Sequence, residues 1–481
     1  MKWQAVVIGS GIGGLACAGM LAARDRKVLV LEQASAPGGY LTAFRRGGFT
    51  FDSGVDCIAG LDPDGLLTWL VRSLGMGDRL APIRLDPIRV SRFPGLAVQV
   101  DASLAAYIER LSTLFPSERS GIRAFFRRAE GIYADIEAML EAVKEGKDTP
   151  DGLPASVWRF SALPYADLVR TDVRDPRLAA ILSDRCPFLG CSPARVSATR
   201  MVSLMMSYFK SGAFRLAGGH QRLPELLVEG IRRKGGEVCL ERPAARILVE
   251  GSRCTRVLTE DGAEFAAEHV VSNADFFETF AQLIGGEVGE AVVAETSGRG
   301  LSPSFFLAYA GVRKGPSPAA ASSIGSFAEF DLDRVLGHYV PFSNADALGI
   351  TIPTREDSSL APPGHDVFIV HELVPQGQTW DWDREKDACL DHVLRKAEQV
   401  FPGLTGHLAY CEAATPATLE RHTRNRHGAA YGWDQIPSLP RVRHGLDNLY
   451  LAGHWGEAGG GVLAAAYAGM RVAAKILRAT A

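Results

Sequence analysis

The sequence predicts a doubly wound α/β domain interleaved with a mixed α+β domain that is partly helical. Two observations predict the α/β domain. A strand-like run, a glycine-rich turn, a helical pattern and a second strand-like run fill residues 1–32, and a strand, glycine turn and helix close the chain at 449–478. Continuous helical periodicity at about 100–146 predicts the helical part of the second domain.

Composition excludes several functional classes. The 481 residues are 47% hydrophobic and 22% charged, which indicates a globular protein with large cores rather than a disordered chain. Lys plus Arg is 52 and Asp plus Glu is 55, so the net charge of −3 argues against a general nucleic-acid binder. No run of about 18 apolar residues predicts a membrane-spanning helix. Eight scattered cysteines without a CxxC pattern indicate reduced thiols in a cytoplasmic protein.

The first motif is a dinucleotide fingerprint. The apolar run at 4–8 is followed by Gly9, Gly11 and Gly14 in the spacing G-x-G-x-x-G. Gly9 permits a tight turn, Gly11 lets the backbone approach a pyrophosphate, and Gly14 lets helix and strand pack closely. Glu32 ends the next strand, where a carboxylate binds ribose hydroxyls and repels a 2′-phosphate. The motif predicts a Rossmann-type site that does not take NADP.

Two further motifs narrow the cofactor. Gly38-Gly39 follows Glu32 after five residues, and FDSG follows at 51–54. The strand at 449–452 leads into a glycine-rich turn at 453–461. Together these resemble the extended fingerprint of the large FAD family that holds amine oxidases, protoporphyrinogen oxidase and carotenoid desaturases. The resemblance implies FAD as cofactor. The sequence has only one phosphate-binding glycine fingerprint of the Rossmann type, so no separate NAD(P)H site is expected.

Motifs typical of one branch of this family are spread over nearly the whole chain. They are VVIGSGIGGL (6–15), VLVLEQASAPGG (28–39), GFTFDSGV (48–55), FLGCSPARVSATRM (188–201), FRLAGGHQRLPELL (214–227), RRKGGEV (232–238), VVSNAD (270–275) and NLYLAGHWGEAGGGV (448–462). Within the family, the chain resembles the branch of carotenoid isomerases, retinol saturases and phytoene-desaturase-like proteins.

The resemblance implies a set of cofactor-binding residues. They are Gly9, Gly11, Gly14, Glu32, Gly38, Gly39, Arg45, Arg46, Asp52, Ala244, Gly453, Gly460, Gly461 and Val462. Tyr40 follows Gly39 where related branches often carry a phosphate-binding Arg, so Arg45 or Arg46 is expected to substitute. Ala244 stands where the family usually has a Val.

Candidates for chemistry lie after the Ala-Gly pair of the last motif. His454 occupies a position that is commonly acidic in the family. A cofactor or structural hydrogen bond and a proton-transfer role at the flavin are both open for it. Glu457 is the second catalytic candidate, with a solvated carboxylate or a helix cap as the alternative. No metal-ligand spacing occurs, so no metal is expected.

A stripe at helical spacing suggests the substrate site. Its members are Met201, Leu204, Met205, Tyr208 and Phe209. Together with Trp455 they are expected to line an apolar groove for the substrate. Ordinary core packing is the alternative for the stripe. The basic run RHTRNRH at 421–427 indicates a solvated face, or else a contact with anionic lipid head groups or a phosphorylated carrier.

The resemblance also implies a division into domains. The FAD domain is expected from 1–100, 218–290 and 421–481, and the substrate domain from 101–217, its helical part, and 291–420.

The function that follows is an FAD-dependent oxidoreductase acting on carbon–carbon bonds of a long apolar conjugated polyene. The substrate is a carotenoid, a retinoid or a carrier-bound polyene, and the reaction is desaturation, saturation or cis/trans isomerisation. The alternatives are an amine or porphyrinogen oxidase and a non-catalytic lipid-binding escort of the same fold. The expected partner is an apolar small molecule presented by a membrane surface or a carrier protein, with no nucleic acid. The expected location is cytoplasmic, with peripheral membrane attachment left open.

Overall fold

The computed structural model describes residues 2–147, 154–315, 320–337, 342, 347–377, 379–437 and 442–479. Within these ranges the chain forms two large β-sheets, two small two-stranded sheets and the helices that cover them. None of the helices in the described part of the chain combines the length and hydropathy that crossing a bilayer requires.

The strands follow in chain order. They are β1 (Lys2–Ile8), β2 (Val28–Leu31), β3 (Ala43–Arg46), β4 (Phe49–Asp52), β5 (Pro82–Arg84), β6 (Arg89–Phe93), β7 (Leu96–Val100), β8 (Phe214–Leu216), β9 (Glu237–Cys239), β10 (Ala244–Glu250), β11 (Arg253–Thr259), β12 (Glu264–Ser272), β13 (Ser304–Arg313), β14 (Ser323–Phe327), β15 (Ala347–Thr351), β16 (His365–Val374), β17 (Leu408–Ala414) and β18 (Leu449–Leu451).

The α-helices follow in the same way. They are α1 (Ile12–Ala22), α2 (Leu66–Ser73), α3 (Leu104–Leu114), α4 (Arg119–Lys144), α5 (Ala155–Ser161), α6 (Tyr165–Arg170), α7 (Pro176–Leu182), α8 (Ala198–Lys210), α9 (Arg222–Arg233), α10 (Gly286–Glu295), α11 (Leu332–Gly337), α12 (Trp382–Val400), α13 (Pro416–Thr423) and α14 (Val462–Ala479).

The first sheet is the doubly wound one. Its order is β10-β11-β12-β1-β2-β9, with β18 paired to β12. The central strands β12, β1, β2 and β9 run parallel. β2 is buried along its whole length, because parallel strands are covered by helices on both faces and are therefore built from apolar β-branched runs. The predicted α/β fold is confirmed, and the strands predicted near 237–271 lie within two residues of β9–β12.

The two ends of the chain meet in a close helix pair. Every residue of α1 is buried, and α14 packs along it. A Cβ atom added to Gly469 of α14 would lie 1.9 Å from the carbonyl oxygen of Gly13 in α1. Small residues thus bring the last helix into backbone contact with the first, which places the turn at 453–461 beside the glycine motif.

The second sheet has seven strands. Its order is β17-β13-β16-β15-β14-β6-β7. Helix α12 covers one face, and its buried Val393 and Ala397 join the apolar residues of that face. Across the sheet lies the helical region built on α3, α4 and α8, which has its own apolar core. The division into domains stays a prediction, but β6 and β7, at 89–100, pair within this second sheet although the sequence assigned them to the FAD domain.

Candidate functional site

A cleft of about 680 Å³ opens where β1 and β2 end and α1 begins. The residues of the two glycine-rich ends of the chain line it together. Among them are Gly9, Gly11, Gly13, Glu32, Gly38, Gly39, Asn273, Gly453 and His454. Such a crevice at the carboxyl ends of parallel strands is where doubly wound sheets bind nucleotides.

The glycines of the first turn keep the cleft open. Gly9 has φ +89°, a conformation that favours glycine. A Cβ atom at Gly11 would lie 2.6 Å from Asn273 Nδ2, and one at Gly14 would lie 2.2 Å from the carbonyl oxygen of Gly9. Gly11 is the N-cap of α1 and brings no side-chain hydrogen bond, so the first-turn amides and the positive end of the helix dipole are left for an anionic ligand.

Glu32 is held rigidly at the cleft wall. Its Oε2 accepts hydrogen bonds from Ser10 N at 2.7 Å and Ser10 Oγ at 2.6 Å, and its Oε1 accepts one from Ala34 N at 2.8 Å. Its side chain is buried but still lines the cleft. Carboxylate oxygens accept more than one hydrogen bond each, so Glu32 retains capacity for sugar hydroxyls. The cradle and this carboxylate fit the adenosine and pyrophosphate of FAD.

The structure brings most of the other predicted cofactor residues to the cleft. Those that line it are Gly38, Gly39, Arg46, Ala244, Gly453, Gly461 and Val462. Gly14 instead packs against Gly9, and Gly460 lines a second cavity.

Arg45 and Asp52 lie outside the lining of both cavities. Arg45 is exposed on β3. Asp52 is buried and accepts a hydrogen bond from His220 N at 2.7 Å. The carboxylate of Asp52 therefore orders the chain around His220 rather than facing the cleft.

His454 lines the cleft as a neutral imidazole. Burial lowers its pKa to about 4, and its Nε2 lies 3.1 Å from Asn425 Oδ1. The same oxygen accepts a 2.8 Å hydrogen bond from Trp455 Nε1. Trp455 itself is buried against Trp433, with ring centroids 5.2 Å apart, and the structure does not bring it to either cavity. The substrate contact predicted for Trp455 is therefore not seen.

A second cavity of about 730 Å³ meets the cleft. The residues that line both spaces mark the junction: Gly54, Val55, Phe305, Tyr431, Gly461 and Val462. The turn before α14 is part of this junction, so the flavin end of a bound cofactor would face the second cavity. The two cavities are therefore separate spaces that adjoin at this turn.

The predicted stripe on α8 divides between two environments. Leu204 and Tyr208 line the second cavity. Met201, Met205 and Phe209 are 0%, 1% and 7% exposed and belong to the helical core, so the structure does not bring them to the cavity. The face of α8 that lines the cavity also carries Arg200, Ser203 and Ser207. Periodicity identified the most apolar face of the helix, which is the one that packs inward.

Glu457 lies at the wall of the second cavity with its side chain 45% exposed. Its Oε2 is 3.2 Å from Arg471 Nη1 on α14. An ion-paired, solvated carboxylate is a poor proton donor or acceptor for an apolar substrate, so this geometry favours the solvated alternative.

Sequence reasoning missed a polar network in the same cavity. Asp56 accepts hydrogen bonds from Arg215 Nη2 at 2.9 Å, Thr351 Oγ1 at 2.8 Å and Ser323 Oγ at 2.5 Å. Burial alone would raise the pKa of Asp56, but Arg215 and the two hydroxyls outweigh it and leave the pKa below its usual value. His371 Nε2 lies 3.1 Å from Thr351 Oγ1, and burial lowers the pKa of His371 to about 4.

The basic run at 421–427 lies at the cofactor cleft. Arg421, His422 and Arg424 line it. Arg424 is also paired with Glu278 at 3.2 Å and with Glu260 at 3.3 Å. Part of the run thus forms a wall of the cofactor cleft. The sequence pattern indicates only a solvated face or a contact with lipid head groups or a phosphorylated carrier.

Comparison with known proteins agrees with this geometry. Residues 12–277 match the family described as flavin containing amine oxidoreductase. Prolycopene isomerase 2 of an Oncidium hybrid cultivar is 27% identical over 501 residues, covering 99% of this chain and 84% of that protein. Lycopene-forming phytoene desaturase of a Paracoccus species is 27% identical over 474 residues, covering 95% and 94%. All-trans-retinol 13,14-reductase of Danio rerio is 23% identical over 508 residues, covering 94% and 82%.

Solved structures share the fold. An oxidoreductase from Methanosarcina mazei superimposes with a TM-score of 0.66 at 17% identity, covering 98% of this chain and 99% of that one. A putrescine oxidase triple mutant superimposes with a TM-score of 0.64 at 14% identity, covering 99% of each chain.

Proposed function

The chain belongs to the flavin-containing amine oxidoreductase family, and from this premise we propose that it is an FAD-dependent enzyme acting on carbon–carbon bonds of a long, apolar, conjugated polyene. The observation that carries the proposal is the second cavity, a largely apolar chamber that opens onto the flavin end of the cofactor cleft. Relatives that match over most of their length are named as an isomerase, a desaturase and a reductase of carotenoids or retinoids. These names support desaturation, saturation or cis/trans isomerisation as the reaction.

The chain's own residues would hold the cofactor. Glu32 would accept hydrogen bonds from the sugar, the amides at the start of α1 would bind the pyrophosphate, and the turn before α14 would line the flavin end. When bound, FAD supplies the two-electron donor or acceptor for chemistry at a carbon–carbon bond.

The chamber positions the polyene and excludes water. Ile136, Leu140, Leu204, Phe327 and Leu348 are among the side chains that line it. Apolar walls replace water around an apolar chain, which is the main source of affinity for such a ligand. The polyene is held by shape and desolvation, and the neutral His371 offers a hydrogen-bonding group rather than a charge.

The alternatives are less well supported. Arg89 and Arg200 both line the chamber, and their positive charges disfavour a cationic amine. A non-catalytic lipid escort has no need for the open cradle at Gly9 and Gly11 or for the anchored Glu32.

We also propose that the substrate enters from a membrane surface or a carrier, on a protein located in the cytoplasm. Trp158 on α5 lines the chamber while 67% exposed, so a large aromatic ring stands at the chamber's solvent side. Trp is suited to the boundary between water and lipid because its ring is apolar and its N–H is polar. This arrangement supports delivery of a water-insoluble chain directly into the chamber.

The test is a comparison of substrate classes on one FAD-loaded preparation. The protein is incubated with a poly-cis carotenoid, phytoene and retinol, and in parallel with a diamine and a porphyrinogen, and products are separated by chromatography. Conversion of a polyene without conversion of the amine or the porphyrinogen supports the proposal. Turnover confined to the amine or the porphyrinogen rejects it.

A further inference from the structure

The chamber extends along the second sheet, away from its junction with the cofactor cleft. Phe305 on β13 belongs to the junction, and Arg89 on β6 lines the chamber several strands away. The strand order β13-β16-β15-β14-β6 separates them by four strand spacings, or about 19 Å at about 4.8 Å each. A substrate that spans this floor has one end near Arg89.

Arg89 is an unusual residue for an apolar chamber. It is 3% exposed, and its Nε and Nη1 have no hydrogen-bond partner within the described part of the chain. Its guanidinium carbon lies 4.9 Å from the ring centre of Phe188. A Cβ atom at Gly325 of β14 would lie 1.9 Å from Arg89 Nη2, so the missing side chain of Gly325 is what allows the guanidinium to lie against the chamber floor.

The charges around Arg89 do not balance. Asp184 Oδ2 lies 3.5 Å from Arg89 Nε, but Asp184 Oδ1 also lies 4.0 Å from Arg185 Nη1, so one carboxylate serves two buried guanidinium groups. Asp184 accepts a further hydrogen bond from Ser91 Oγ. No other carboxylate lies within 4 Å of these two arginines in the described ranges.

The neighbouring polar network does not supply the missing negative charge. Asp56 and Glu356 are matched there by Arg215 and Arg355, at distances of 2.9 to 3.7 Å. One positive charge therefore stays uncompensated in a buried place, which is costly unless a ligand pairs with it.

We propose that Arg89 binds a carboxylate at the end of the substrate, so that the preferred polyene is an acid rather than a hydrocarbon. The inference rests on the function proposed above and specifies its substrate class. Arg89 lines the chamber, and a planar guanidinium matches a carboxylate in shape as well as in charge. A single excess positive charge fits a monoanion better than an isoprenoid diphosphate, whose several negative charges would outweigh it.

The position of Arg89 also sets the distance from the acid to the reacting bond. An extended chain advances about 1.2 Å per bond. Because the guanidinium lies against Gly325 of β14, three strand spacings or about 14 Å from β13, the reacting bond would lie roughly 12 bonds from the carboxylate. The acid end serves as the anchor that selects which carbon–carbon bond meets the flavin.

The experiment measures binding of all-trans-retinoic acid and of its uncharged methyl ester to the FAD-loaded protein. We expect the acid to bind at least about tenfold more tightly than the ester, the size of effect that a charge-assisted hydrogen-bonded pair gives. Arg89→Met should bring the two affinities together and leave that of the ester unchanged. Arg92→Met is the matched control, since Arg92 lies on the same strand but is exposed and donates to Val400 O.

A second variant covers the case in which Arg89→Met does not fold. In Gly325→Ala the new methyl must displace the guanidinium, so the preference for the acid should fall while the charge is kept. Melting temperature and flavin content are recorded for each variant.

Five results would overturn the inference. Equal affinity of the wild-type protein for acid and ester would do so, as would a preference for the acid that survives both variants, or tighter binding of farnesyl diphosphate than of the acid. If the protein converts polyenes regardless of their end group, only this inference fails. If it neither binds nor converts any polyene, the proposed function fails as well.

Discussion

The side-chain oxygen of Asn425 lies 3.1 Å from His454 Nε2, and this contact fixes the state of the imidazole at the cofactor cleft. An amide oxygen only accepts, so His454 Nε2 carries the proton and Nδ1 is left as an acceptor. Because burial also lowers the pKa of His454 to about 4, the ring is neutral at pH 7. The geometry therefore supports the hydrogen-bonding role for His454 over the proton-transfer role.

Removing the shared acceptor should destabilise the cleft. Asn425→Ala leaves the buried N–H groups of His454 and Trp455 without a partner, at a cost of about 2 kcal/mol or more in the free energy of unfolding. Urea unfolding of the FAD-loaded protein measures this loss, and flavin release should become easier. Gln399→Ala serves as the control, because Gln399 is exposed on α12 and lines neither cavity. An Asn425→Ala protein as stable as wild type would show that the shared hydrogen bond contributes little.

Acid should destabilise the protein partly through His371. Its pKa in the folded state, about 4, lies below the value of about 6.5 for an unfolded histidine. The unfolded chain therefore binds more protons between these values, and stability is lost as the pH falls from 6.5 towards 4. Since His371 lines a cavity whose water screens part of the effect, the expected loss from pH 7 to pH 5 is about 1–2 kcal/mol.

The variant His371→Gln isolates that contribution. It cannot take up the proton, so its unfolding free energy should fall less between pH 7 and pH 5 than that of the wild type. His427→Asn is the control, because His427 is exposed at φ +54° and Asn tolerates that conformation. Parallel pH profiles for wild type and His371→Gln would contradict a buried, neutral His371.

Substitutions at the residues that line the cofactor cleft should affect FAD affinity and folding separately. Glu32→Ala removes an acceptor for the sugar and should weaken FAD binding roughly 10- to 100-fold, while Glu237→Ala on the neighbouring strand should not. Gly11→Ala pushes only the flexible end of Asn273 and should impair FAD binding in a folded protein. Gly13→Ala meets the backbone nitrogen of Gly453 at 2.4 Å and should impair folding. FAD dissociation constants and melting temperatures of the variants test these predictions. Equal FAD affinity in all variants would contradict the proposed position of the pyrophosphate.

Two neighbouring residues of α8 should behave oppositely. Leu204→Trp fills part of the chamber and should slow polyene turnover while FAD content and melting temperature stay near wild type. Met205→Glu buries an unpaired charge in the helical core, costs several kcal/mol and should prevent folding. A soluble, FAD-loaded Met205→Glu protein that has lost only polyene binding would instead place Met205 in the chamber.

Local patterns explain why parts of the site could be predicted from sequence. The turn from Gly9 to Gly14 and the carboxylate of Glu32 lie within one βαβ unit, so their spacing carries the geometry. The closing strand and turn at 449–461 are local in the same way. Their pairing with the first motif depends on the contact of Gly469 with Gly13, which no local pattern reveals.

The chamber could not be predicted in the same way. Asp56, Arg215, Ser323 and Thr351 come from four distant parts of the chain and meet only after the second sheet forms. For the stripe on α8, periodicity shows which face is buried but not whether it meets a core or a cavity. Met205 and Leu204 are adjacent in sequence, yet they face these two different environments.

The most direct test of the account is chromatographic analysis of a polyene after anaerobic incubation with the FAD-loaded protein, in its oxidised and in its reduced form. Protein stripped of FAD serves as the control. We predict a product that differs in the number or geometry of its double bonds, formed in at least one redox state and only when FAD is present. A polyene recovered unchanged from both forms of the FAD-loaded protein, or changed equally by the stripped protein, would contradict the account.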